Sequence, residues 1–393
     1  PDDYQLVHQV IVQPINHSQP DGPTLEQHVD ILIPRGAPPD APVFFNFGNE
    51  HDLTQEELVE LYRHHGERDD IIYIQAEHRG YGQSLTADED QSVPRYLSKE
   101  QALADAHNLI QQLSKTYPGP WLVAGWSYGG GLVIDFASRY PADAAAVLSS
   151  SGVVDWPFIN YHYDRRIRAT LGEACYRRMA RHMRNLKSEE PFDKGWLEQE
   201  FLTAMMAGVV QYQNFNRYQP YFSFLSRLPT PLFLRMAHWF DNAFAESNAN
   251  EYALAGSAKT VHRDEITSGK YTWRMWRYQQ CSETGVFFAS EESDGVFQRT
   301  REDLCGECEA LFGEAHYAEM TEWSLREKAK KLRTPLIYVS GGNDPWYAIG
   351  LDATHEIPIG KNIHVPEGFH CPDRDDPKLA RRILEEMLSF AAP

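Results

Sequence analysis

The pentapeptide Gly125-Trp-Ser127-Tyr-Gly129 follows a buried-strand pattern, Trp121–Ala124, and runs into helical spacing that lasts to about Tyr140. A serine at such a strand-to-helix junction is held in a strained backbone with its hydroxyl projecting above the sheet. Glycines two residues to either side remove the Cβ atoms that would otherwise forbid the turn. The next N–H, on Tyr128, falls at a helix N-terminus, where an anion is stabilised. The bare pattern is common. Its placement between strand and helix makes Ser127 the candidate nucleophile and Tyr128 a candidate oxyanion donor.

Such a turn needs a sheet, and the flanking sequence supplies one. Leu6–Val12 and His28–Ile33 alternate apolar with polar residues, as half-buried strands do. Val43–Phe47, Ile71–Gln75 and Ala145–Leu148 are short apolar runs, the signature of strands covered on both faces. Helical spacing fills Thr54–His65. Ser98-Lys-Glu-Gln101 reads as a capping box opening a helix with Leu103, Ala106, Leu109, Ile110 and Leu113 on one stripe. After Trp156 the texture turns to arginine, aromatic residues and methionine, with helices expected over Arg165–Lys187, Leu197–Tyr212 and Pro229–Ala243. Buried-strand patterns return at Thr334–Ser340 and Asn362–Val365, and Asp376–Phe390 closes as a helix. The expected fold class is α/β, an α/β-hydrolase core with a mainly parallel sheet and an inserted helical cap. Its domains are residues 1–155 (core, first part), 156–330 (cap) and 331–393 (core, second part).

A serine hydroxyl is inert without a base, and the base needs a carboxylate to fix its tautomer. In this fold the three follow in the order Ser, Asp, His, each in a loop after a strand. Leu336–Ser340 leads into Gly341-Gly-Asn-Asp344-Pro-Trp346, and Ile363–Val365 leads into Pro366-Glu-Gly-Phe-His370. Asp344 and His370 are therefore the candidate partners, 26 residues apart, with room for a helix and a strand between them. Asn46-Phe-Gly48-Asn49-Glu50 follows the third strand, where the second oxyanion N–H is expected, and Asn49 is the candidate. Glu50 is a candidate substrate-binding residue beside it. Glu77-His78-Arg79 to Ser84 reads as a buried ion-pair network bracing the adjoining loop.

Composition excludes several other classes. Lys+Arg 37 against Asp+Glu 56 gives −19, a balance that repels nucleic acid and anionic lipid surfaces. No run approaches the roughly 18 uninterrupted apolar residues of a membrane span. Five cysteines, Cys175, Cys281, Cys305, Cys308 and Cys371, are too few for a disulfide-built scaffold. Cys305-Gly-Glu-Cys308 lacks the second pair that a zinc ribbon requires, so no metal is expected, and nothing calls for a cofactor. Asn16-His17-Ser18 is a glycosylation sequon, and a start at Pro1 suits a processed or trimmed chain. Both lean toward a secreted or lysosome-like compartment, with a cytoplasmic one still open. Protonating all 16 histidines would bring −19 to about −3, which permits work at mildly acidic pH. Acid activity would require His370 to keep some neutral imidazole there.

Six islands resemble the serine peptidase family of lysosomal Pro-X carboxypeptidase, dipeptidyl peptidase II and the fungal acid prolyl endopeptidases. They are Gly48-Asn-Glu50; Ala76-Glu-His-Arg79 with Tyr81–Leu85; Ser98–Asp105; Gly125–Gly130; Asn343–Trp346 with Glu367–His370; and Trp276-Arg-Tyr-Gln-Gln-Cys281-Ser-Glu283. The prolyl tri- and tetrapeptidyl aminopeptidases are neighbouring relatives. The resemblance implies cleavage on the carboxyl side of proline by a Ser127–His370–Asp344 triad, with proline-containing peptides as partners. It also implies a Cys281–Cys308 pair. Two departures stand out: the Asp344 loop is a residue shorter than the family's, and Cys371 replaces the usual second histidine. Selection for proline, which has a rigid ring and no N–H, calls for a closed apolar slot. Trp346 is the first candidate wall, and Trp276 with Tyr278 the second. Which chain end is trimmed, if either, stays open. So do an esterase or lipase on the same triad and a catalytically silent binding protein.

Overall fold

Strand segments with unlike hydrophobic patterns take unlike places in one sheet. In the computed structural model, which describes residues 3–186, 188, 192–212, 214–244, 249–313 and 323–392, the alternating pair β1 (Tyr4–Pro14) and β2 (Thr24–Pro34) lies antiparallel at one edge. The continuous apolar runs form the interior: β3 (Val43–Asn46), β4 (Ile72–Ala76), β5 (Trp121–Trp126) and β6 (Ala146–Ser150). Two late strands, β7 (Leu336–Gly341) and β8 (Gly360–Val365), complete the sheet. The strand order is β1-β2-β4-β3-β5-β6-β7-β8. β2 meets β4 antiparallel, and every pairing beyond it is parallel. This is the α/β-hydrolase fold.

Adjacent residues of a strand face opposite sides, so each central strand feeds two cores. Phe45, Val123 and Val147 pack with α2 (Lys99–Leu113) and α3 (Tyr128–Arg139). Phe44, Leu122, Leu148 and Ile337 pack with α1 (Gln55–His64) and the closing helix Pro377–Ala391. Thr54 caps α1 with a complete capping box. At α2 only half of the expected box forms: Ser98 accepts from the Gln101 N–H, but the Gln101 carboxamide accepts from the His17 N–H instead.

Between β6 and β7 the described residues add no strand to this sheet. It forms α4 (His162–Leu171), α5 (Glu173–Asn185), α6 (Lys194–Gln211), α7 (Asn214–Leu225), α8 (Thr230–Phe244), α9 (Ala249–Ser257), α10 (Arg263–Thr267), α11 (Thr272–Gln279) and α12 (Arg301–Phe312). The helix expected over Arg165–Lys187 is two helices, because Gly172 takes φ 72° and breaks the first; Lys187 lies outside the described residues. Cys281 and Cys308 form a disulfide with Cα atoms 5.5 Å apart, joining the end of α11 to α12. No helix among the described residues is long and apolar enough to cross a membrane.

Candidate active site

Ser127 joins β5 to α3 with φ 56° and ψ −121°, a conformation that strains any residue with a side chain. The glycines make the turn possible by close approach. A Cβ on Gly125 would run into the Gly129 carbonyl, and one on Gly129 would meet the Gly48 carbonyl oxygen at 2.6 Å. The loop after β3 is thereby pressed onto the start of α3. Tyr128 opens that helix, so its N–H has no carbonyl within the helix to receive it. The Asn49 carboxamide oxygen accepts from the Gly129 N–H at 3.0 Å, which fixes the Gly48–Asn49 loop beside Ser127.

Asp344 and His370 sit beyond the ends of β7 and β8, at the same edge of the sheet. His370 Nδ1 lies 2.8 Å from Asp344 Oδ2, and the two side chains are only 2% and 1% exposed. The other carboxylate oxygen accepts from the Trp346 N–H at 2.9 Å, which sets its orientation. With Nδ1 committed to the carboxylate, Nε2 of His370 is buried and without a hydrogen-bond partner among the described residues. Burial opposes the imidazolium, but Asp344 together with the Cys371 thiol outweighs it and holds His370 well above the usual histidine range. Burial alone therefore does not supply the low pKa that acid activity requires.

The end of β6 binds the Ser127 turn and the histidine loop together. The Ser127 N–H donates to the Ser150 carbonyl at 2.9 Å. Cys371 adopts φ 53° just after the histidine, and its N–H donates to Ser151 Oγ at 2.9 Å. Asp373 accepts from the Trp126 indole at 2.8 Å and from the Ser150 hydroxyl.

The remaining candidates divide. Trp346 stands with its ring 6.2 Å from that of His370, and Tyr163 of α4 packs edge-on against it at 5.7 Å. Trp276 lies 5.5 Å from the Tyr128 ring. Tyr278 stands apart from Trp276. Two residues along a helix is about 200° of rotation, and Tyr278 packs against Phe312 in the cluster around the disulfide, away from Trp276. Glu50 has one carboxylate oxygen buried without a partner among the described residues, and burial pushes its pKa up. Arg79, completely buried, pairs with Asp105 at the base of the adjoining loop, as the charge pattern there led us to expect.

Sequence reasoning missed Tyr163, Gln211 and Tyr212. The Gln211 carbonyl accepts from the His370 N–H at 3.2 Å, and its side chain accepts from the Tyr163 hydroxyl at 2.6 Å. Tyr212 places its ring 5.9 Å from that of His370. Tyr163 and Gln211 lie in helices without a motif and Tyr212 directly after one, so the only available signal was a tyrosine-rich composition.

The family model described as "Serine carboxypeptidase S28" matches residues 37–379. The Arabidopsis thaliana protein "Probable serine protease EDA2" is 24% identical over 322 residues, covering 72% of this chain and 64% of that protein. Human lysosomal Pro-X carboxypeptidase is 25% identical over 358 residues, covering 77% and 69% respectively. The chain thus spans 64% and 69% of the length of these two relatives. The crystal structure of proline iminopeptidase from Mycobacterium smegmatis superposes with a TM-score of 0.47 at 12% identity, over 98% of this chain and 99% of that one.

Proposed function

The chain belongs to the serine carboxypeptidase S28 family, and on that footing we propose that it is a serine peptidase hydrolysing peptide bonds on the carboxyl side of proline. Ser127 is the nucleophile, His370 the general base and Asp344 the group that orients it. One arrangement carries the reading. His370 commits Nδ1 to Asp344 and keeps a buried, unpaired Nε2, at the strand edge where Ser127 stands in its strained turn.

His370 Nε2 takes the Ser127 proton as Oγ adds to the carbonyl carbon of proline. The N–H groups of Tyr128 and Asn49 meet the charge that forms on the carbonyl oxygen. The imidazolium, stabilised by Asp344, then passes its proton to the departing amine, and water repeats the sequence to release the acyl group. Trp346 and Trp276 wall the slot for the proline ring, and residues 156–330 act as a cap over it. The Cys281–Cys308 disulfide supports a secreted or lysosome-like setting, where such bonds persist. The lysosomal compartment in a relative's name points the same way.

Mass-spectrometric readout of a peptide library digested from acid to neutral pH should show cleavage after proline. A chromogenic proline amide should be hydrolysed in preference to a simple acyl ester. Ser127→Ala should lower turnover by about 10⁶. Ester hydrolysis without amide hydrolysis would replace the reading with an esterase, and turnover unchanged in Ser127→Ala would remove the nucleophile.

A further inference from the structure

Helix α6 ends beside His370, and its last residue closes a circuit of contacts around that side chain. The last carbonyls of a helix find no N–H within it, and that of Gln211 accepts from the His370 backbone N–H at 3.2 Å. The Gln211 carboxamide is committed at both ends. Its oxygen accepts from the Tyr163 hydroxyl at 2.6 Å, and its nitrogen donates to the Tyr212 hydroxyl at 3.2 Å. Tyr163 is completely buried and meets Trp346 edge-on. The Trp346 N–H holds one Asp344 oxygen, and the other Asp344 oxygen holds His370 Nδ1. Asp344, Trp346, Tyr163, Gln211 and His370 are thus joined in a ring, with two members from the inserted helices and three from the sheet loops.

We propose that Gln211 is a positioning residue that ties the placement of His370 to the filling of the proline slot. The proposal rests on the proline-peptidase reading above, and it makes proline a requirement of turnover as well as of binding. Trp346 is at once a wall of that slot and a member of the ring. Close-packed side chains transmit small displacements, because they have no void to move into. A proline ring pressed on the Trp346 indole therefore loads Tyr163, whose hydroxyl loads the end of α6 through the Gln211 carboxamide. The Gln211 carbonyl in turn sets the backbone from which the His370 ring projects. Alanine in the same slot leaves Trp346 without that pressure, and Nε2 is then less well aligned with Ser127 Oγ. A misplacement of about 1 Å costs about 10²-fold in rate. Tyr212 serves the same end, since the amide that holds its hydroxyl keeps its ring 5.9 Å from that of His370.

The test measures kcat and KM on matched peptides with proline or alanine ahead of the cleaved bond, per active site counted with a serine-directed phosphonate. Gln211→Met keeps the length of the side chain and removes both of its hydrogen bonds. Tyr163→Phe cuts the same link from the other side, keeps the ring on Trp346 and leaves no buried donor unpaired. In either variant kcat on the proline peptide should fall about 10–100-fold, with KM little changed. On the alanine peptide kcat should fall less, so the proline-to-alanine ratio in kcat drops toward one. The double variant should lose no more than the worse single one, because both interrupt one link. A structural role would lower both peptides by the same factor, or reduce the count of active sites and leave kcat per site alone. Either result overturns the proposal, as does an unchanged kcat, and Tyr163→Phe decides where Gln211→Met fails to fold. Cleavage of no proline peptide by the wild type would instead overturn the reading on which the proposal rests.

Discussion

The sheet and the helices that interrupt it both bury charge, but they use it differently. Around the sheet, small groups bridge distant segments: Asp344 and His370 between two loops, and Arg79 of a loop with Asp105 of α2, which His17 also meets. Among the helices, charges gather. Glu200 of α6 meets Arg277 of α11 and Arg299, and Arg299 also meets Glu307 of α12 at 2.7 Å, where the Trp196 indole donates at 2.7 Å. The sheet needs no such cluster, because its strands are already joined by backbone hydrogen bonds and apolar faces. The helices share no backbone ladder, and this network holds three segments in one place. Asp344–His370 is thus left open to the chemistry proposed above, while the buried cluster in the helices is committed to position.

Three substitutions break or sharpen that contrast. Asp344→Asn should cost about 10⁴ in kcat, with the urea midpoint little moved. Its pH profile should change as well. His370 acts as a base only when neutral, and Asp344 raises its pKa, so the acid limb of kcat/KM should lie above the usual histidine range. That limb should move to lower pH in the variant. A large loss of stability instead would make this pair structural like the others. Glu200→Gln leaves two buried guanidinium groups short of charge and should destabilise by about 3–5 kcal/mol in urea unfolding. Turnover per folded molecule should persist, and its collapse would show the cluster reaching into the site.

The smallest effect concerns the junction of the two regions. Both oxygens of Glu283 accept from the Lys99 N–H, which opens α2, at 3.0 Å. Burial, reinforced by Glu100, raises Glu283 from the usual 4.5 to about 8, against the opposing Lys99 contacts. The folded chain then holds this proton more tightly than the unfolded chain. Its contribution to stability is fully present below about 4.5 and is lost as pH rises toward about 8. Glu283→Gln should recover on the order of 1 kcal/mol at alkaline pH, a few degrees in Tm, and nothing at acid pH. Equal shifts at both ends of the range would show that the carboxyl does not titrate there.

The same contrast governs what the sequence revealed. Strands buried on both faces leave unbroken apolar runs, and the Ser127 turn imposes glycines at fixed offsets, so the sheet and its three loops were legible to within a few residues. The intervening helices were legible only in part. Helix α6 is buried around most of its surface and so lacks a clean polar face, while α7 contains Pro220, which ordinarily ends a helix. Charges such as Glu200 and Arg277 occupy positions where a core stripe would be sought. Gly172 and its positive φ split one expected helix in two. Trp276 and Tyr278 were paired by proximity in sequence, whereas the rotation of α11 sends them to different neighbours.

Asp373 links the indole directly ahead of Ser127 to a segment three residues beyond His370. The Ser127 and His370 side chains are consequently gauged from a common anchor, and a disturbance that shifts one strand carries both along. Their separation is inherited from that anchor and is not left to either loop to negotiate. Surfaces around the two residues can therefore drift, or be redesigned, without retuning the gap across which the proposed proton transfer runs.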